Sequence, residues 1–324
     1  MSSFRAAFIG AGSAARGFHY PSLARLDDVE IVAIADLNEA LLAKTADEYG
    51  VAARYTDYRL MLAEQDIDAV WVIMPPMGLT PIALDVLAAG KNLFIEKPAG
   101  LTSADTRQMA AAAEAAGVIT AVGCNRRYSA VLRRARELVE ERGPISAAMA
   151  EFHKNMEATY YDLCILHTDI VHVVDALRWL LGEAVEVHSH ADRWYRHAGW
   201  EHSYNHFNAL IRFAEGGSGL LSANRQAGHR YEKFELHGAD ISAHVWAPNR
   251  AEIWRAGDSE PQVITGADLT GSEDPNDNYG YFTENREFIA AVRAGTQPQT
   301  CLADNVHTME LCDKIAAGAH VERT

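Results

Sequence analysis

Long hydrophobic runs are missing from this chain. Nowhere do about 18 apolar residues stand together, and the opening Met1-Ser2-Ser3-Phe4-Arg5 has no basic region leading into an apolar one. Neither a spanning helix nor an export signal is expected, so the protein reads as soluble and cytoplasmic. Cysteine is scarce as well: Cys124, Cys164, Cys301 and Cys312 lie scattered without CxxC spacing, in a chain far too large to need disulfide staples. They read as reduced thiols. Positive charge is in deficit, with 29 Lys and Arg against 44 Asp and Glu and a net charge of -15. Such a surface repels phosphate backbones and anionic bilayers, which argues against nucleic acid and membranes as partners. Internal repeats and low-complexity tracts are absent too.

What is there suits two domains. The chain has 324 residues, 48% of them hydrophobic, enough to fill two cores. From residue 4 to about 123, short apolar runs at 4–9, 30–35, 69–74, 92–95 and 119–122 alternate with segments long enough for crossover helices. That alternation predicts a parallel sheet of the doubly wound kind, a dinucleotide-binding (Rossmann) domain over 1–123. Thr102-x-x-Asp105 reads as a capping box opening an Ala-rich helix that Gly117 closes, and Gly90 ends the helix begun near Pro81.

The first strand runs into Gly10-Ala11-Gly12-Ser13-Ala14-Ala15, which fits G-x-G-x-x-G/A. Gly10 and Gly12 allow a tight turn and close approach of backbone amides to a pyrophosphate, while Ser13 and Ala14 start a helix whose positive end faces that charge. Ala15, or Gly17 just beyond, must let the helix pack close to the sheet. Asp36 ends the second strand, where a carboxylate can bind ribose hydroxyls, and is followed by Leu37 and Asn38 rather than an arginine. NAD is therefore preferred over NADP. At the end of the 92–95 strand stand Glu96, Lys97 and Pro98, where a doubly wound sheet presents groups to its ligand. Taken alone, Glu96 and Lys97 could equally be solvated charges.

After residue 123 the period changes. An amphipathic helix to about Arg142 is followed by Gly143-Pro144 and then strands at 145–153, 184–194, 204–213, 218–225 and 231–237, the middle pair joined by Gly216-Gly217. A mostly antiparallel α+β domain over 124–324 is predicted. Residues 257–280 read as a long irregular loop, with helices near 281–294 and 303–317 closing the chain.

The helix between the first two of those strands carries His172. At about 100° per residue, Thr168, Asp169, Asp175 and Trp179 share its face. A neutral imidazole can take a hydroxyl proton near neutral pH and a carboxylate one turn away can steady it, although a core histidine paired with a carboxylate would look the same. A metal site built from His167, Asp169 and His172 is disfavoured, since His167 lies about 140° around the helix from His172.

Together, the glycine turn, Asp36, Glu96-Lys97-Pro98 and the segment from His172-Val173-Val174-Asp175 to Arg178-Trp179-Leu180-Leu181-Gly182 resemble the Gfo/Idh/MocA family of oxidoreductases. The likeness covers nearly the whole chain. It implies that Glu96 lies by the cofactor together with Pro75 and Pro76, that Lys97 sits between nicotinamide and substrate, and that the bond before Pro98 is cis. It makes His172 the general base and Asp175 its support. The chain departs from the family at Met74, Thr80 and Thr168. Thr168 stands where inositol dehydrogenases place an acid, leaving neighbouring Asp169 as its substitute. The same resemblance offers Arg127, His153, Asn155 and Tyr231, with Thr168 and His172, as substrate contacts. The aromatic and histidine cluster of Trp194, Tyr195, His197, Trp200, His202, Tyr204 and His206 suits either a sugar site or a subunit contact.

The expected activity is reversible, NAD-linked oxidation of a secondary alcohol on a sugar, sugar acid or cyclitol, by a homodimer or homotetramer assembled through the second-domain sheet. The competing readings are an NADP-dependent aldose or keto-sugar reductase and a dinucleotide-sensing regulator without turnover.

Overall fold

The computed structural model describes residues 3–157, 163–193 and 203–318. Trp194, Tyr195, His197, Trp200 and His202 fall outside them. Two compact units make up the chain, one of residues 1–124 with 281–306, the other of 125–280 with 307–324. Placing a single boundary after residue 123 therefore misses a return. The helix Tyr281–Ala294 completes the first unit, because Trp71 donates from Nε1 to Asn285 Oδ1 at 2.7 Å and Phe288 packs edge-on against the same indole at 5.3 Å.

In the first unit six strands, β1 (Phe4–Ile9), β2 (Val29–Ala35), β3 (Ala53–Tyr55), β4 (Ala69–Val72), β5 (Asn92–Ile95) and β6 (Thr120–Val122), form one parallel sheet. Their order is β3-β2-β1-β4-β5-β6, so the sequence of connections reverses between β1 and β4 and opens a crevice at the strand ends there. Uniformly buried β4 and nearly uniformly buried β5 explain why their sequences are continuous apolar runs. One core stacks Phe8, Trp71 and Phe94 across the sheet. The helix Ser103–Ala116 has the expected capping box at Thr102 and Asp105, and Gly117 ends it at φ +66°.

The second unit carries an eight-stranded sheet ordered β14-β13-β12-β11-β7-β10-β9-β8. Its strands are β7 (Ala147–Asn155), β8 (Ala184–Asp192), β9 (His206–Phe213), β10 (Ser218–Asn224), β11 (Gln226–Gly238), β12 (Ile241–Trp246), β13 (Arg250–Arg255) and β14 (Gln262–Thr265). All neighbours are antiparallel except β10 and β7. The buried side chains of Ala148, Ala150 and Phe152 on β7 share a core with the apolar faces of the helices Ala130–Glu140 and Val171–Leu181. On the other sheet face Leu210 and Leu220 remain 49% and 43% exposed.

The stretch read as one irregular loop, 257–280, is ordered into β14 and two helical turns, Gly266–Thr270 and Pro275–Asn278. Side chains of Thr265 and Asp274 accept from the amides of Asp268 and Asn276, so polar residues that look loop-like cap short helices here. Among the described residues no helix is long and apolar enough to cross a membrane.

Candidate active site

The first unit builds its groove from backbone. Gly10 ends β1 at φ +113°, and a Cβ there would stand 2.0 Å from the Ile73 carbonyl oxygen, so only glycine lets the two strand ends approach. Above Gly12 nothing lies within 4 Å of where a Cβ would be, which leaves the amides at the helix start open to a ligand. The close helix contact falls to Ala15, which is fully buried, while Gly17 faces open space. Asp36 is fixed by two amides: Ala11 donates to Oδ2 at 2.7 Å and Asn38 to Oδ1 at 2.8 Å. Each oxygen keeps further capacity to accept.

Two cavities flank this turn and share Met74 and Pro75. One, of about 230 Å³, runs past Asp36, Leu37, Thr56 and Tyr58. The other, of about 300 Å³, runs past Gly12, Ser13, Ala14, Glu96 and Lys97. Pro76 lines neither; its carbonyl accepts from Leu79 at the start of the next helix. Glu96 is held on two sides, with Oε1 3.0 Å from His19 Nε2 and Oε2 accepting from the Lys97 amide at 3.0 Å. Gly123 makes room for it, since a Cβ there would crowd the carboxyl carbon at 3.0 Å. His19 is itself fully buried against Asn285, and the Lys97–Pro98 bond is cis.

The second unit builds with ion pairs. Arg127 grips Asp175 with both prongs, Nε to Oδ2 at 2.8 Å and Nη2 to Oδ1 at 2.5 Å, and Thr308 donates to Oδ1 at 2.8 Å. Asp175 therefore clamps Arg127, so support of His172 is not its main occupation, and Arg127, 3% exposed, is a buried strut more than a free substrate contact. Asp169 is taken by two cations, Lys154 Nζ at 2.7 Å on Oδ1 and Arg225 Nε at 2.7 Å on Oδ2. Thr168 donates its hydroxyl to the Cys164 carbonyl at 3.3 Å. Residues 166–170 form a widened π turn, so the regular 100° spacing that grouped Thr168 and Asp169 with His172 does not apply across them.

His172 is 8% exposed and meets Phe152 edge-on at 6.5 Å. His153 and Tyr231, directly paired across β7 and β11, stack on each other at 6.0 Å on the opposite face of the sheet from Phe152. Alternation puts Asn155 with His153. Within this unit, then, the proposed contacts separate: Thr168, Asp169 and His172 belong to the helix-covered side, and His153, Asn155 and Tyr231 to the other. His167 pairs with Asp313 at 2.8 Å, away from the partners of Asp169. Among the described residues the one group with metal-like spacing is His19, Glu96 and Glu284, two of which already touch at hydrogen-bond distance.

Residues 4–124 match the model of an oxidoreductase family with an NAD-binding Rossmann fold, and residues 132–244 match the Gfo/Idh/MocA C-terminal domain. The chain belongs to the Gfo/Idh/MocA family of oxidoreductases. It is 24% identical to a D-apiose dehydrogenase of Paraburkholderia graminis, over 99% of this chain and 89% of that one. To a myo-inositol 2-dehydrogenase of Thermotoga maritima it is 25% identical, over 86% of each. The structure of levoglucosan dehydrogenase with NADH and levoglucosan superimposes with a TM-score of 0.86 at 21% identity, covering 98% of this chain and 97% of that one.

The groove of this Gfo/Idh/MocA chain fits NAD on its own terms. The open space over Gly12 suits a pyrophosphate, and Asp36 suits a ribose diol. None of the residues lining the Asp36 cavity is basic, so a 2′-phosphate there would meet a carboxylate with no cation to offset it. Sequence reasoning passed over His19 and Lys154. His19 sits two residues beyond the motif with nothing periodic to mark it, and Lys154 was skipped in favour of its neighbours on the other strand face.

Proposed function

We propose that the protein catalyses reversible oxidation of a secondary alcohol on a sugar, sugar acid or cyclitol. The observation that carries this reading is the pair of cavities that share Met74 and Pro75, one lined by Asp36 and the other by Gly12 and Lys97. Bound there, NAD supplies the hydride acceptor. Gly10, Gly12, Ser13, Ala14 and Ala15 form the turn that receives the pyrophosphate, Asp36 accepts from the ribose hydroxyls, and Pro75 and Glu96 shape the walls. Lys97 donates a hydrogen bond to the reacting alcohol. His172 takes its hydroxyl proton, and Thr168, whose own proton is on the Cys164 carbonyl, can accept from a neighbouring hydroxyl; Asp169 and Asp175 act at one remove, by holding Lys154, Arg225 and Arg127. The names of the relatives, dehydrogenases of apiose and inositol, support a polyol substrate. We further assign a cytoplasmic location and a homodimer or homotetramer, with the sheet face bearing Leu210 and Leu220 as the covered surface.

His172→Ala is expected to lower turnover by about 10²–10⁴-fold with NAD affinity intact, read by NADH absorbance and by calorimetric titration of NAD. Wild-type turnover in that variant would remove His172 from the mechanism. A second reading, a dinucleotide-binding regulator, draws on Thr168 standing where the family acid does and on Asp169 being engaged by Lys154 and Arg225. NADH formation from any polyol in a panel would dismiss it.

A further inference from the structure

The cysteines of this chain are free, and they are not alike: Cys124 and Cys312 are buried, Cys301 is partly exposed and Cys164 is exposed. Cys164 stands just ahead of the π turn Leu166–Ile170, where the His167 side chain hydrogen-bonds its thiol and the amides of Leu166 and His167 reach the same sulfur. The backbone fixes this arrangement. The Cys164 carbonyl accepts from the amides of His167 and Thr168 at 3.1 and 3.2 Å, so thiol and imidazole are folded onto one another across a single turn. The imidazole also meets Asp313 Oδ1 through Nε2 at 2.8 Å. Thiol, imidazole and carboxylate are thus joined in one cluster inside the second unit, from the exposed Cys164 through a buried ring to a carboxylate that is 44% exposed. A thiol is a poor nucleophile until it loses its proton, and these neighbours favour the loss. Desolvation works to raise the Cys164 pKa, but His167 and the two amides outweigh it and hold the thiol below its ordinary value. Burial works to lower His167, and Cys164 and Asp313 outweigh it in turn, so the imidazole is held above its ordinary value. The two shifts are those of a thiolate beside an imidazolium. Cys312, one residue before Asp313, is the opposite case: burial, then the charge of Cys164, push its thiol well above the ordinary value.

We propose that Cys164 is a site of covalent modification, a nucleophilic thiol activated by its contact with His167 and Asp313 and attacked by hydroperoxides. The Cys164 thiolate sulfur takes one oxygen of hydrogen peroxide: the S–O bond forms as the O–O bond breaks, sulfur gives up two electrons and the peroxide is reduced. The departing hydroxide accepts the proton of the His167 imidazolium and leaves as water, so the products are a sulfenic acid on Cys164 and a neutral imidazole. Asp313 acts through His167, as a positioning residue. The site stands apart from the alcohol chemistry and holds whichever substrate is oxidised. It lies at the root of the turn that bears Thr168 and Asp169, since the Cys164 carbonyl also accepts the Thr168 hydroxyl at 3.3 Å.

The test follows each thiol of the whole protein by peptide mass spectrometry. Iodoacetamide at neutral pH is expected to label Cys164 about tenfold faster than Cys301, the other thiol with exposed surface. His167→Gln should remove that lead, slowing Cys164 by about tenfold and moving the midpoint of its rate–pH profile up towards the ordinary thiol value while Cys301 is unchanged. Asp313→Asn should slow it by about 2–5-fold, the range for a half-exposed ion pair. Because that side chain is half-exposed, this second variant carries the test even where His167→Gln does not fold. Hydrogen peroxide added together with dimedone, which captures sulfenic acids, should leave its adduct on Cys164 in the wild type, less of it in His167→Gln and none on that peptide in Cys164→Ser. Labelling of Cys164 no faster than of Cys301, a rate unmoved by both the His167 and the Asp313 changes, or no dimedone adduct on Cys164 would each overturn the proposal.

Discussion

The two units make their sites from different materials. In the first, position comes from the main chain: a glycine that lets two strand ends meet, amides that fix Asp36, and strand ends that aim Glu96 and Lys97 into a cavity. In the second, side chains hold one another: Asp175 with Arg127, Asp169 with Lys154 and Arg225, Glu232 with Arg126. A site made from backbone survives loss of a side chain that only touches ligand. One made from buried ion pairs does not, since removing either partner strands a charge in the interior.

The sharpest way to break this contrast is Asp175→Ala. It leaves the buried Arg127 guanidinium without its bidentate partner and should cost about 3–5 kcal/mol of stability, measured by denaturant titration of the second unit's unfolding. A second change, Arg127→Met in the same chain, should restore a good part of the loss. If Asp175→Ala unfolds no more easily than wild type, the buried pair is not what holds this unit.

Asp36→Ala should do the reverse. The fold stays, because its partners are two backbone amides at a partly exposed turn, but NAD affinity falls by about 10–100-fold while NADP affinity changes less. Calorimetric titration of both dinucleotides reads the ratio. A fall in both alike would take the ribose contact away from Asp36.

The smallest effect concerns pH. Lys154 has its folded-state pKa lowered by burial and by Arg225 and Arg230, with Asp169 pulling the other way. A lysine lowered on folding binds its proton more weakly folded than unfolded, so it costs stability at neutral pH and that cost disappears as pH rises from the folded value towards about 10.5. Thermal midpoints in that alkaline window should therefore fall less steeply for wild type than for Lys154→Met. Equal slopes would mean that burial and the two arginines do not lower Lys154 on folding.

The same contrast decides what could be read from the residues alone. Glycine and proline punctuate backbone, and so the turn at Gly10, the acid at Asp36, the strand before Glu96 and the hairpin at Gly216-Gly217 stand out in sequence. Three-residue β3 carries no period. The hairpin leading into β12 turns at Asp240, held at φ +57° where a glycine would have announced it, and β12 to β14 went unread beyond it. Ion-pair partners are chosen in space: Lys154 from β7 and Arg225 from the bend between β10 and β11 both meet Asp169, and no spacing foretells it. Even the period-2 rule, which groups His153 with Asn155, could not say which side of the sheet looks at His172.

The helix at Tyr281–Ala294 has a consequence for how the molecule comes into being. Phe288 and Asn285 close over Trp71 in the middle of the nucleotide-binding core, yet they follow the whole of the second sheet, β7 to β14, in the chain. The strands of the first unit must therefore wait, their central indole uncovered, until that helix has been made. A fragment ending at residue 124 would leave that hydrophobic surface permanently open, and such a fragment is a substrate for chaperones before it is a binder of dinucleotide.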